Sequence, residues 1–252
     1  MSKSVSLVPI SVFLVCFLTA KDFWFERPYT DWTEKQALKI LTKSPWSSTQ
    51  IVGVRGSSFI TGPSPAEPQS SCSTCPEEAA TLPETLSDPQ ALGSSNPHGG
   101  VTQLKFYVRF RTATPVRMAL ARLAVLKGST SEEKAEQYLD NPEFPGQIVV
   151  VVEPASEGGT LELDHASLGQ LQEGTYLLLK KSKRRIGLQQ YVTPSQFGGN
   201  QAFFIFPKKE NEENLVGLDE KEIWFSCQLN REIKIERKFK LEKMLFKGVL
   251  EI

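Results

Sequence analysis

Leu104-Lys105-Phe106-Tyr107-Val108-Arg109-Phe110-Arg111 alternates along its length. Leu104, Phe106, Val108 and Phe110 fall on one side, and Lys105, Tyr107, Arg109 and Arg111 on the other. Successive side chains of a strand point to opposite faces, so the octet predicts a half-buried β-strand. Downstream, Ile148 to Val152 is a continuous apolar run, which predicts a strand covered on both faces. Five further strands are expected at 175–181, 187–193, 201–206, 222–229 and 232–239, and a last one near 245–251. Asn230-Arg231 would turn the hairpin between two of them.

Helices interrupt this pattern in few places. Thr114-Pro115 reads as a cap followed by proline at the first helical position, opening a helix through Leu126 that closes near Gly128. Thr130 with Glu133 starts a second helix, to about Leu139, ahead of Asn141-Pro142. Asp164 to Leu171 reads as a helical turn. The main region, 101–252, is therefore expected to be α+β: β-rich, built on a mostly antiparallel sheet with a few short helices.

Upstream, residues 21–60 form a short segment. Asp31-Trp32-Thr33-Glu34 offers a capping residue with Glu three places on, and Ala37, Leu38 and Leu41 recur at helical spacing. Pro45 stops the helix, and Ile51, Val52 and Val54 suggest a strand. About forty residues cannot bury a core of their own, so this helix and strand should dock on the main domain. Trp24, Trp32 and Trp46 are the natural anchors, because large aromatic rings supply most burial per residue. Their functional alternative is contact with a sugar ring or a partner.

Between the two regions, residues 61–100 hold seven of the 16 prolines. No Lys or Arg occurs between Arg55 and Lys105, whereas Glu67, Glu77, Glu78, Glu84 and Asp88 do. Such a stretch has too little apolar surface to offset its ordering entropy, so a long disordered acidic insertion is expected. At the front, Lys3 precedes the uncharged, mostly apolar Val5 to Ala20. The stretch is short for a membrane span of about 20 apolar residues and ends on a small residue. Residues 1–20 therefore read as a signal peptide, which predicts a secreted or periplasmic protein.

Composition narrows the function classes. The 252 residues carry 29 basic and 29 acidic side chains, so a nucleic-acid partner, which demands a basic surplus, is not expected. Histidine is scarce: His98 stands alone at the end of the insertion, and His165 follows Asp164. Asp164-His165 could pair a base with its orienting acid, but a helix-cap role for Asp164 explains the pair more simply. Cys72-Ser73-Thr74-Cys75 reads as a short disulfide in an exported chain. Zinc would need a second such pair, and a redox site would need a helix N-terminus. Cys227 lies in an apolar strand and reads as a small buried hydrophobe. Ser131-Glu132-Glu133-Lys134 matches S-x-x-K, but neither Lys-Thr-Gly nor Ser-Asp-Asn accompanies it. No metal or cofactor is expected.

Lys180, Lys181, Lys183, Arg184 and Arg185 form a basic knot between two expected strands. It reads as a solvated hairpin tip whose charges deter edge pairing. Its functional alternative is contact with an anionic surface, and no neighbouring aromatic in sequence adds a stacking component.

Three segments together resemble a known family. They are Trp24-Phe25-Glu26-Arg27-Pro28-Tyr29-Thr30-Asp31-Trp32-Thr33-Glu34-Lys35 with Ser44-Pro45-Trp46, then Pro115 to Leu120, then Asp219 to Glu222 and the stretch from Lys238 to Ile252. The chain resembles a family of uncharacterised exported proteins found mainly in Acidobacteria, some of whose members are described as GWxTD domain-containing. Thr30-Asp31-Trp32-Thr33 is a partial echo of that motif. The resemblance implies export and supports the fold reading, and it brings no catalytic residue. The expected function is a non-enzymatic binding or assembly component of the cell envelope, meeting an envelope protein, glycan or lipid surface and peripheral to the membrane at most. The alternative is an extracytoplasmic hydrolase using carboxylates from separate strands, which leave no sequence motif.

Overall fold

The computed structural model describes residues 22–55 and 101–252. The leader read at 1–20 and the acidic insertion at 61–100 lie outside the described residues. In chain order the elements begin with α1 (Phe23–Glu26), α2 (Glu34–Thr42), β1 (Ser47–Arg55), β2 (Val101–Phe110), α3 (Thr114–Leu126), α4 (Glu132–Asp140) and β3 (Gln147–Pro154). They continue with α5 (Glu157–His165), α6 (Leu168–Gly174), β4 (Tyr176–Leu179), β5 (Arg185–Gly187), β6 (Gln190–Val192), α7 (Pro194–Phe197) and β7 (Ala202–Pro207). The last are β8 (Lys209–Glu210), β9 (Glu213–Asn214), β10 (Glu222–Gln228), β11 (Lys234–Lys240), β12 (Leu245–Phe246) and β13 (Val249–Leu250). The fold is α+β and β-rich, with every strand pair antiparallel.

Two sheets carry the core. One runs β1-β2-β3-β7-β6 and the other β11-β10-β4-β5. Alternation in β2 turns Leu104, Phe106, Val108 and Phe110 inward, all buried. The second sheet answers with Ile223, Phe225 and Cys227 from β10 and Ile235 and Phe239 from β11. Edge-to-face ring pairs join the layers: Phe110 with Phe239 at 4.9 Å, and Phe204 with Phe225 at 5.4 Å between centroids. Such pairs add about 0.5–1.5 kcal/mol beyond the area they bury.

The two sheets meet at both margins. On one side only Leu188 and Gln189 separate β5 from β6, so the chain passes from one sheet into the other, and Gln189 donates its N–H to the Ile205 carbonyl at 2.9 Å. On the other side the Gln50 amide of β1 imitates a peptide group. It donates to the Lys234 carbonyl at 2.9 Å and accepts from the Glu236 N–H at 2.8 Å. These two bonds satisfy the start of the β11 edge, where unpaired backbone groups would otherwise be open to another chain.

The centre of the first sheet, β3 with β7, is buried on both faces, whereas Ile51 in β1 is 60% exposed. Val149, Val151, Phe203 and Ile205 form a second apolar cluster on the side away from the core, with Phe144 and Val192 against it. This is why β3 and β7 read as unbroken apolar runs. Arg109 departs from the alternation reading. Its position should face solvent, yet it is only 3% exposed. It pairs with Glu153, whose carboxylate also accepts from Gln201 at 2.9 Å. A buried charge is tolerated there because it is paired, with a carboxylate that itself keeps 25% of its side chain exposed to water.

The helices correct the expected caps. Thr33, not Asp31, caps α2, in a reciprocal box with Gln36. Ser131 rather than Thr130 caps α4, which also accounts for the S-x-x-K match, since Ser131 accepts the Lys134 N–H. The expected turn at Asp164–Leu171 is instead the junction of two helices, α5 and α6. The strand expected at 187–193 is divided into β5 and β6, and α7 behind them carries no signal beyond Thr193-Pro194. The last expected strand is a small hairpin, β12 to β13, turned at Lys247-Gly248 with both residues at positive φ. Thr114 does not cap α3 but stands at its first position behind Ala113. The cap comes from far along the chain: the Glu251 carboxylate accepts the Thr114 N–H at 2.9 Å and its hydroxyl at 2.8 Å.

Removing that carboxylate in Glu251→Ala should cost about 1 kcal/mol, the usual worth of an N-terminal cap. Urea unfolding measures it as a lower midpoint at unchanged slope; an unchanged midpoint would show that the contact contributes nothing.

Candidate functional site

The outward face of the second sheet carries a row of cations over aromatic rings. In β10 the inward Ile223, Phe225 and Cys227 alternate with outward Glu222, Trp224 and Ser226. Register places Trp224 opposite both Lys238 and Leu178, and Leu178 opposite Arg185. A row Lys238, Trp224, Leu178, Arg185 thus crosses all four strands. The Lys180 ammonium lies 5.0 Å from the Trp224 ring centroid and that of Lys238 lies 5.7 Å from it. The Arg185 guanidinium sits 4.4 Å from the Tyr176 ring. These are cation–π distances, within about 6 Å of a centroid. Trp224 Nε1 donates to Glu222 at 3.4 Å, which aligns the indole along the strand. Lys180, Arg185, Lys234, Lys238 and Lys240 share this face with two carboxylates, Glu222 and Glu236, so five cations against two anions leave a surplus of three.

The expected basic knot is thus two different things. Its tip is a stapled turn. The Glu220 carboxylate, nearly buried, accepts the N–H groups of Lys181 and Ser182, both at 3.0 Å. Lys181 pairs with Asp219 at 3.3 Å, and Arg184 pairs with Glu210. Lys183 stands at φ 61°, in the left-handed region, at the apex. The flanking Lys180 and Arg185 belong instead to the open sheet face. The sequence reading that the knot lacks neighbouring aromatics is overturned: Tyr176 and Trp224 lie directly beneath these two cations. Trp224 is distant in sequence, and only strand pairing brings it there.

The other sequence candidates take structural places. Trp24, Trp32 and Trp46 are 5%, 1% and 0% exposed, so they present no free ring to a sugar or partner, and that contact reading is corrected. They act as anchors. Trp24 meets Trp46 edge-on at 5.9 Å, and Trp46 donates to the Met244 carbonyl at 3.3 Å. Asp164 turns from His165 and accepts the Ser195 N–H at 2.8 Å in α7, so it supports a neighbouring helix rather than its own. His165 is exposed at the end of α5. Cys72, Cys75 and His98 lie outside the described residues. Among the described residues no group of three or more His, Cys, Asp or Glu side chains gathers to hold a metal, and no helix is long and apolar enough to cross a membrane.

Two buried groups of the core, one on each sheet, have perturbed acidity. Cys227 is fully buried, and desolvation pushes its thiol up to about 12. The Tyr191 hydroxyl, buried and donating to the Leu163 carbonyl, is raised for the same reason. Both groups hold their protons in the folded state at a pH where the unfolded chain releases them. The unfolded state then binds fewer protons, so stability falls as pH rises above about 9. For Cys227 alone the slope approaches about 1.4 kcal/mol per pH unit until its folded value is reached. Thermal unfolding at pH 8, 9, 10 and 11 should show this decline, shallower in Cys227→Ala than in the parent chain; identical slopes would exclude the thiol as a cause. Comparison of the chain with protein-family models, with curated proteins and with solved structures finds no match.

Proposed function

We propose that the chain is an exported, non-enzymatic binding protein of the cell envelope, and that the outward face of its four-stranded sheet rests on anionic lipid headgroups. The observation that carries this is the patch of Trp224, Leu178 and Tyr176 on one sheet face, with Lys180, Arg185 and Lys238 around it. An apolar and aromatic strip edged by lysines suits a lipid boundary. Indole and phenol rings favour the headgroup level, and long cationic side chains lay their stems on apolar surface while the charge reaches outward. Each Lys or Arg near an anionic leaflet contributes about 1 kcal/mol, so a surplus of three is worth about 3 kcal/mol, or about a hundredfold in partitioning. The cations already over the rings disfavour a neutral sugar, which would have to displace them in order to stack. Export through the leader read at 1–20, and kinship with the exported family that the sequence resembles, belong to the same proposal.

Vesicle co-sedimentation of the full chain provides the test. Binding is expected to vesicles with anionic phospholipid, to be weak on purely zwitterionic ones, and to weaken as salt is raised. The double variant Lys180→Glu/Lys238→Glu reverses the charge of the face and should lose at least about tenfold in binding, with its far-UV circular dichroism unchanged. Equal binding to both vesicle types, or binding only to a soluble anionic polysaccharide, would contradict the lipid assignment.

A further inference from the structure

A different part of the molecule holds a second cationic feature. A cleft of about 150 Å³ opens between the end of β2, the first turns of α3, the end of α4 and the loop at 142–147. Its chemistry comes from Arg111, Arg117, Tyr138, Glu143 and Lys208. Arg117 is only 8% exposed. Its Nη2 donates to the Tyr138 carbonyl and, at 2.9 Å, to the Leu139 carbonyl. These are among the last carbonyls of α4, which have no partner within the helix, and a cation belongs there. Arg111 Nη2 meets the Glu143 carboxylate at 3.2 Å. The Tyr138 ring lies beside both guanidinium groups, at 5.1 Å from Arg117 and 5.9 Å from Arg111.

Those contacts leave donors over. The Nε of Arg111, the Nε of Arg117 and the hydroxyl of Tyr138 are all buried and have no acceptor among the described residues. Buried donors are nearly always satisfied, so three of them on residues lining one cleft ask for an acceptor. Charge says which kind. Arg111, Arg117 and Lys208 against Glu143 leave a lining charge of +2. A monocarboxylate balances half of that, a dianion all of it. Size agrees: at about 30 Å³ per water the cleft has room for about five water-sized centres, the scale of a tetrahedral oxyanion, and it is well below the roughly 300 Å³ at which clefts for larger organic ligands begin.

We infer that this cleft binds a divalent tetrahedral oxyanion, a phosphate group, with Arg111, Arg117 and Tyr138 as its donors. Guanidinium forks suit phosphate oxygens, and the planar donors of arginine are already held in place here by helix α4 and by Glu143. Glu143, with its side chain 35% exposed at the cleft, competes with the ligand for Arg111. The site is independent of the lipid-facing sheet and does not require that reading.

Isothermal titration calorimetry of the full chain at pH 8 tests it, with inorganic phosphate and a phosphomonoester such as glycerol phosphate as probes and sodium chloride balancing ionic strength. Saturable binding at one site is expected. Tyr138→Phe removes only a hydroxyl without a protein partner, so the fold should be unaffected while affinity drops about tenfold. Glu143→Gln should tighten binding, and Arg111→Gln should abolish it. Binding of either phosphate probe supports the inference, and the tighter of the two identifies whether the group arrives free or on a carrier. Heats that never saturate, affinities unchanged by both Tyr138→Phe and Glu143→Gln, or acetate binding as tightly as phosphate would overturn it.

Discussion

The burial of Trp46 is the constraint on which the rest of the structure depends. Its indole is fully enclosed, donates to the Met244 carbonyl and packs edge-on against Trp24 and Phe246. It therefore clamps the segment before β1 to the segment after β11, which are remote in sequence. Its own carbonyl accepts the Phe110 N–H at 3.0 Å, and the next residue, Ser47, begins β1 opposite Arg109. The register of β1 on β2 follows, and with it the position of Gln50, whose amide closes the two sheets along β11. A one-residue slip of β1 would turn Gln50 away and put Ile51 in its place.

Closure at both margins makes the two sheets unequal on their outer sides. The first sheet is covered behind by its own apolar cluster and is approached by α2 and α5. The second sheet is packed by α6, which meets β10 and buries Leu171 in the core. Its outward positions are Glu222, Trp224, Glu236 and Lys238, a polar alternation that an antiparallel sheet tolerates on a solvated face. The cationic strip is thus a consequence of architecture as much as of composition. A chain with zero formal net charge still presents a local surplus, because acids and bases are sorted between faces.

Much of this was legible in the sequence, and the division is physical. The alternation of β2, the unbroken run of β3 and the extent of α3 are local patterns, and each predicts the element type that the structure shows. Partners supplied from a distance were not legible. Glu251 capping α3, Gln50 satisfying β11 and Glu153 neutralising Arg109 each need a long-range pairing that periodicity does not encode. The same holds for both cationic places. The knot at 180–185 was visible as charge, but Trp224 joins it only through the β4 to β10 register. Arg111, Arg117 and Tyr138 share no local pattern, because two sit where an alternating strand ends and a helix starts, and the third follows in another helix. The nearest available signal was Arg117, a charged residue within the otherwise apolar stretch from Pro115 to Leu120.

Hydrogen exchange with mass-spectrometric readout, on the full chain under native conditions, addresses the clamp most directly. If Trp46 holds the front of the chain to the sheets, amides of helix α2 should share the protection of strand β3, since both would be released only by global unfolding. Amides of 34–42 exchanging orders of magnitude faster than those of 148–152 would mean that the N-terminal segment opens on its own, and the clamp would not be what unites the structure.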